Sequence, residues 1–231
     1  MSITQNLADI RARIAEAARL AGRDPADTAL MAVSKFQPED KINEALAAGQ
    51  RLFGENRVQD AQKRWGHRKA DMPDLMLHLI GALQTNKVRE AVALFDVIQT
   101  LDREKLARAL AEEMTRQGRP LPCFIQVNTG EEPQKGGVLP HDLPPFHDFC
   151  VKACGLDIRG LMGLPPENDP PALHFALLKH LAGQVGVSGL SMGMSGDYDK
   201  AVALGSTIVR IGTGLFGTRE NPLAGQAGAG G

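Results

Sequence analysis

The chain has 231 residues, of which 43% are hydrophobic and 23% charged, with a formal net charge of −1. That balance excludes a largely disordered chain, and no excess of scattered basic residues points to nucleic acid. No apolar run approaches the ~18 residues of a membrane helix, and the N-terminus lacks the apolar core of a signal peptide, so neither a membrane partner nor export is expected.

Residues 1–22 predict a surface helix. Ile3, Leu7, Ile10, Ile14, Ala17 and Leu20 recur at steps of three and four, and Gly22 marks the stop. A strand is predicted at 29–34, then a helix opened by Pro38 and ended by Gly49. Strand 51–54 precedes a polar helix over 56–68, and strand 75–81 precedes a helix over 84–94. Strand 96–101 leads to a helix with Asp102 as N-cap that stops at Gly118. In the second half, strand 123–128 is followed by a helix after Pro140, and strand 157–163 by a helix over 173–185. Strand 189–192, a helix over 197–204 and strand 206–212 complete the pattern.

Eight buried strands alternating with helices imply a parallel sheet closed into a single (β/α)8 TIM-type barrel with an extra N-terminal helix. An open doubly wound sheet is the alternative, but it fits fewer strands, and no GxGxxG follows the first one. The expected organisation is an N-terminal helix over 1–22, a barrel over 23–219 and a flexible Gly-rich tail over 220–231. The three cysteines, Cys123, Cys150 and Cys154, are too few and too irregular for a disulfide framework, which points to a cytoplasmic protein. His147, Cys150 and Cys154 have no fourth ligand near them in sequence, so they read as packing residues and no metal is expected.

Barrel chemistry belongs at the C-terminal ends of the strands. Lys35, Glu55, Asn56, His78, Asn128, Ser191, Ser195, Arg210, Gly212 and Thr213 lie there or near there and look least like packing residues. The last two loops, SMGMSGD (191–197) and RIGTG (210–214), suit a phosphate held by backbone N–H groups, with Ser195 either adding a hydroxyl or capping the next helix. A lysine desolvated at a barrel mouth loses its proton readily and can form a Schiff base with an aldehyde. Phosphate, aldehyde and lysine together suggest pyridoxal 5′-phosphate (PLP), or equally a Schiff-base aldolase or isomerase acting on a sugar phosphate.

AVSKFQP (32–38), FGENRVQD (53–60), HLIGALQTNKV (78–88), IQVNTGEEPQKGG (125–137), RGLMGLPP (159–166), SMGMSGDYDKAVALG (191–205) and VRIGTGLFGTR (209–219) resemble the YggS/PROSC family of pyridoxal phosphate homeostasis proteins. The resemblance implies a barrel similar to the N-terminal domain of alanine racemase, with PLP bound as an aldimine of Lys35. It implies Asn56 beside the cofactor and His78 near the pocket. Ser191, Ser195 and the turn at Gly212 and Thr213 would hold the phosphate, and Arg210 would face the pyridine nitrogen. Two positions depart from the pattern. Phe36 stands where a small or polar residue is usual, and reshaping of the pocket rim is expected; Leu79 stands where an aromatic is common.

A racemase of that fold has a second domain that supplies a tyrosine. Here twelve Gly-rich residues follow Arg219, and the one tyrosine is Tyr198. The expectation is a PLP carrier with little or no turnover and no catalytic residue. It would act as a monomer and supply apo-enzymes, with free amino or keto acids as further ligands. A racemase-like PLP enzyme is the alternative within this reading.

Overall fold

The computed structural model describes residues 2–217. The tail expected over 220–231 lies outside the described residues, as do the last two residues of the barrel expected over 23–219. The chain opens with helix α1 (Ile3–Leu20), capped by the Ser2 hydroxyl, which accepts from the Gln5 N–H at 3.2 Å. Its buried stripe is Ile3, Leu7, Ile10, Ile14 and Ala18. Leu20, expected on that stripe, is 80% exposed, and Ala18 rather than Ala17 completes the buried face.

The chain then runs through β1 (Ala29–Val33), α2 (Glu39–Ala47), β2 (Leu52–Glu55), α3 (Val58–Trp65), α4 (Arg68–Asp71), β3 (Met76–Leu79) and α5 (Val88–Leu94). Next come β4 (Val97–Leu101), α6 (Glu104–Gln117), β5 (Cys123–Val127), α7 (Leu143–Asp148) and β6 (Ile158–Gly163). The last elements are α8 (Pro171–Val185), β7 (Gly189–Ser191), α9 (Tyr198–Ala203), β8 (Ile208–Ile211) and α10 (Thr213–Phe216). Strands β1 to β8 form one closed barrel in sequence order. All pairings are parallel, and β8 closes on β1 with Met31 opposite Arg210. The eight-stranded (β/α)8 barrel with its added N-terminal helix is therefore the fold.

The two-residue period of each strand sorts side chains between two cores. Ala32, Phe53, Leu77, Ile98, Ile125, Leu161, Val209 and Ile211 face the helices and join the large outer core. Val97, Phe124 and Met162 pack together as a smaller cluster inside the barrel. Gly54 admits Met31 to that interior, since a Cβ at Gly54 would sit 2.7 Å from the Met31 sulfur. Arg23 ties the end of α1 to the barrel by donating to the carbonyls of Val202 at 2.5 Å and Ser206 at 3.1 Å.

Several boundaries differ from those read in the sequence, each for a local reason. The strand expected at 96–101 starts at Val97, because the Asp96 carboxylate accepts from Lys69 and from the Leu77 N–H. The helix expected over 56–68 is two, α3 and α4. The helix expected from 84 begins as a 3-10 turn over Thr85–Lys87 before α5. The segment after Pro140 is a 3-10 turn, then α7, then a π-helical turn over Phe149–Ala153. Pro171 starts α8 two residues earlier than expected, because a proline fits the first helical position. Asp102 is not the N-cap of α6; Arg103 occupies that position, and the Asp102 carboxylate accepts from the Arg103 guanidinium at 2.6 Å instead. No helix among the described residues is long and apolar enough to cross a membrane.

The aromatic pair Phe53 and Trp65 fixes α3 against β2, with ring centroids 4.6 Å apart and both side chains fully buried. Phe53→Ala is expected to cost about 3–5 kcal/mol, read as a lower urea midpoint at unchanged m-value.

Candidate functional site

The C-terminal ends of the strands open onto a cleft of about 270 Å³. Its polar lining is Lys35, Asn56, Ser195, Gly196, Arg210 and Gly212. Its apolar walls are Val33, Ile80, Met162, Leu164 and Met194. A larger groove of about 550 Å³ lies on the outer wall and includes Gln59, Gln62, Lys63 and Ala93. Gln59, Gln62 and Lys63 lie on α3 and Ala93 on α5, away from the strand ends.

Arg210 forms the floor of the cleft. It projects from β8 into the barrel and is 4% exposed. One terminal nitrogen donates to the Ser191 carbonyl at 2.6 Å and to the Ser191 hydroxyl at 2.8 Å; the other donates to the Gly163 carbonyl at 2.8 Å. These partners are neutral oxygens, so no carboxylate in contact cancels the charge. Burial pulls the guanidinium down to about 10, against the opposing pull of Asp197, which leaves it protonated at neutral pH. A buried cation met only by neutral acceptors favours an anionic or electron-rich ligand beside it.

The polar chain continues under the floor. Ser191 accepts from Arg210, so its own hydroxyl proton goes to the Gln99 carbonyl oxygen at 2.6 Å. That orients the Gln99 amide, whose nitrogen donates to His78 Nδ1 at 2.8 Å. The neutral His78 imidazole then carries its proton on Nε2. Burial holds His78 down at about 4, well below its ordinary 6.5. Ser191 and His78 are thus buried beneath the cleft and do not line it.

Asn56 closes one side. Its side-chain oxygen is buried and has no hydrogen-bond partner among the described residues. Its backbone is gripped by Gly81, where a Cβ would lie 2.2 Å from the Asn56 carbonyl oxygen and 2.7 Å from its Cα. No side chain fits there, which explains a glycine just after β3. An orphaned acceptor on a cleft wall is a group awaiting a donor.

The opposite side is backbone from the last two loops. Ser195 is not a helix N-cap: Asp197 occupies that position, and the Ser195 hydroxyl accepts from the Gly214 N–H at 3.1 Å. The serine therefore joins the β7 and β8 loops into one wall. Gly196 faces open space, and a Cβ at Gly212 would meet nothing closer than 3.5 Å, so a ligand can approach both. Thr213 opens α10, is exposed and does not line the cleft.

Other residues singled out in the sequence serve the scaffold. The Asn128 side chain donates to the Glu132 carbonyl at 2.8 Å and accepts from the Glu132 N–H at 3.2 Å, which folds the 130–137 loop onto itself. Tyr198 is buried in the outer core with Arg13 over its ring at 5.1 Å. Cys150 is fully buried, with burial pushing its thiol up to about 12. Phe36 does not line the cleft; it stands 57% exposed beside Arg57. Sequence reasoning passed over Gln99, although a glutamine inside a wholly buried strand is a signal that it faces polar groups within the barrel.

Comparison with known proteins gives a consistent result. The family model for the alanine racemase N-terminal domain matches residues 5–220. A "Pyridoxal phosphate homeostasis protein" of Pseudomonas aeruginosa is 42% identical over 226 residues, spanning 95% of this chain and 96% of that protein. PipY of Synechococcus elongatus, solved with PLP bound, is 37% identical with a TM-score of 0.79, covering 94% of this chain and 100% of PipY. The same protein solved without PLP superposes with a TM-score of 0.83 at 38% identity, with the same coverage.

The buried His78 has a pH consequence. Its pKa is about 4 when folded and 6.5 when unfolded, so between those values the unfolded chain binds more protons. This contribution is complete above pH 6.5 and is lost as pH falls toward about 4, at up to about 1.4 kcal/mol per pH unit. His78→Gln is expected to flatten the fall in melting temperature across that window, as thermal unfolding at a series of pH values would reveal.

Proposed function

The chain belongs to the alanine racemase N-terminal domain family, and from that membership we propose that its cleft binds PLP covalently through Lys35 and acts in the homeostasis of that cofactor. The observation that carries the reading is the convergence of one primary amine, one orphaned acceptor and one buried cation on a single cleft walled by two glycine-bearing loops. The residues fit the group. Lys35 supplies the amine. The wall joined by Ser195, with Gly196 and Gly212, suits the phosphate, and the Asn56 side-chain amide, which can donate through its nitrogen, and the Arg210 guanidinium suit the polar edge of the ring.

When bound, PLP supplies an aldehyde that an uncharged amine captures reversibly with loss of water. The protein's own residues govern how reactive the bound group becomes. Arg210 stays protonated and is already committed to Ser191 and Gly163, so it donates hydrogen bonds and does not hand over a proton. Placed beside a pyridine nitrogen, it would leave that nitrogen unprotonated and the ring a weaker electron sink. Apolar Val33, Ile80, Met162 and Leu164 limit water around the bound group.

These features support a carrier more than a catalyst. Among the described residues lining the cleft, Lys35 and Arg210 are the ionisable ones. Two-base racemisation requires two groups that exchange protons on opposite faces of a carbon. Lys35 alone can do so here, and Tyr198 is enclosed in the outer core. The physiological role we infer is to keep a reactive aldehyde sequestered and to release it to apo-enzymes.

Borohydride reduction of the PLP-loaded protein followed by peptide mass spectrometry tests the reading. The label is expected on Lys35, and Lys35→Ala is expected to lose it. Full labelling elsewhere with an unmodified Lys35 would overturn the assignment. Loaded protein mixed with an apo-enzyme is expected to restore that enzyme's activity while showing no racemisation of alanine itself.

A further inference from the structure

Lys35 occupies the second position of a four-residue turn, 34–37, closed by the Gln37 N–H donating to the Ser34 carbonyl at 3.1 Å. The third position is Phe36, with φ at 60°. A type II turn requires that left-handed region at its third position, and glycine or asparagine fills it without strain. A phenylalanine there is an outlier, and such a conformation persists only where its surroundings over-determine it.

One guanidinium spans the turn. Arg64, on α3, donates to both ends of the turn: to the Ser34 carbonyl at 2.6 Å and to the Gln37 carbonyl at 2.7 Å. The same group donates to Glu55 Oε1 at 2.9 Å and to Glu39 Oε1 at 2.9 Å. Glu55 is 1% exposed, and its Oε1 also accepts from the Ser34 hydroxyl at 2.6 Å and the Trp65 indole at 3.1 Å. A buried carboxylate thus aims the arginine, and the arginine spans the turn that bears Lys35. Only a planar fork reaches two carbonyls and two carboxylates at once; a lysine could match the charge but not the span.

We propose that Arg64, aimed by Glu55, is a positioning residue that clamps the Lys35 turn in a conformation Phe36 resists, and so presents the Lys35 amine to the cleft. This rests on the reading of Lys35 as the PLP-binding amine. It assigns a role beyond the cleft: the rate of PLP capture depends on a residue that need not touch PLP. It also accounts for a bulky residue after the lysine, because the clamp offsets the strain.

The test compares the full-length wild type with Arg64→Lys, Phe36→Gly and the double variant. Arg64→Lys leaves a cation for Glu55, so the buried carboxylate keeps a counter-charge. Two readouts are taken: hydrogen exchange of the segment 31–40 without PLP, and the rate of borohydride-fixable PLP capture on Lys35. In Arg64→Lys, exchange in that segment is expected to rise and capture to slow, each about tenfold, with the other strands unchanged. Adding Phe36→Gly is expected to restore both, because glycine adopts the turn without strain. Wild-type behaviour in Arg64→Lys, or losses that glycine does not restore, would overturn the clamp. Should Arg64→Lys alone fail to fold, the double variant decides: folding restored by Phe36→Gly supports the clamp, and a double variant that also fails to fold would overturn it. Failure of the PLP reading shows differently, as no label on Lys35 in the wild type, and hydrogen exchange then still decides the clamp.

Discussion

A single buried cation organises the interior of this barrel. Arg210 is held among neutral oxygens of β6 and β7, where a charge is costly unless each of its hydrogen bonds is made. Its demand for acceptors orients Ser191, whose hydroxyl orients Gln99, whose amide sets the tautomer of His78. Four strands, β3, β4, β7 and β8, are thereby locked across the barrel by one directed chain of donors. Such a chain specifies a register that apolar packing alone leaves looser. It also leaves positive charge at the bottom of a cleft whose apolar walls are valine, isoleucine, leucine and methionine.

The site is a division of labour between elements of different rigidity. The floor belongs to strands whose side chains interlock. One wall is Asn56, pressed into place by the missing side chain of Gly81. The other wall is loop backbone joined by the Ser195 hydroxyl and the Gly214 N–H. The amine alone stands on a strained turn, and that turn is braced from outside the barrel by Arg64 and Glu55. A polar floor and two walls, with one amine presented by a braced turn, suit reversible capture better than a multistep reaction, which calls for several proton-transfer groups at close quarters.

Much of the fold was legible because apolar strand runs and helix stops alternate with little interruption. Lys35, Asn56, Ser195, Arg210 and Gly212 were readable as cleft residues because polar side chains and glycines at strand ends have no packing purpose. What the sequence concealed is relational. Ser195 resembles a helix cap in sequence, and only the return of the chain at Gly214 shows its other partner. Arg64 looks like an ordinary surface arginine of a polar helix, because its partners Ser34 and Gln37 are about thirty residues away. Asp102 looks like a cap because the competing claim of its neighbour Arg103 is a matter of side-chain conformation. The helix expected over 56–68 breaks at Gly66, the C-cap of α3, a stop signal that the sequence does carry.

The most direct measurement is a crystal structure of the chain grown with PLP. The account predicts electron density continuous with Lys35 Nζ, a phosphate against the backbone of Ser195, Gly196 and Gly212, and a donor or ordered water on the Asn56 oxygen. Density for PLP elsewhere on the molecule, with Lys35 unmodified and the cleft filled by water alone, would contradict it.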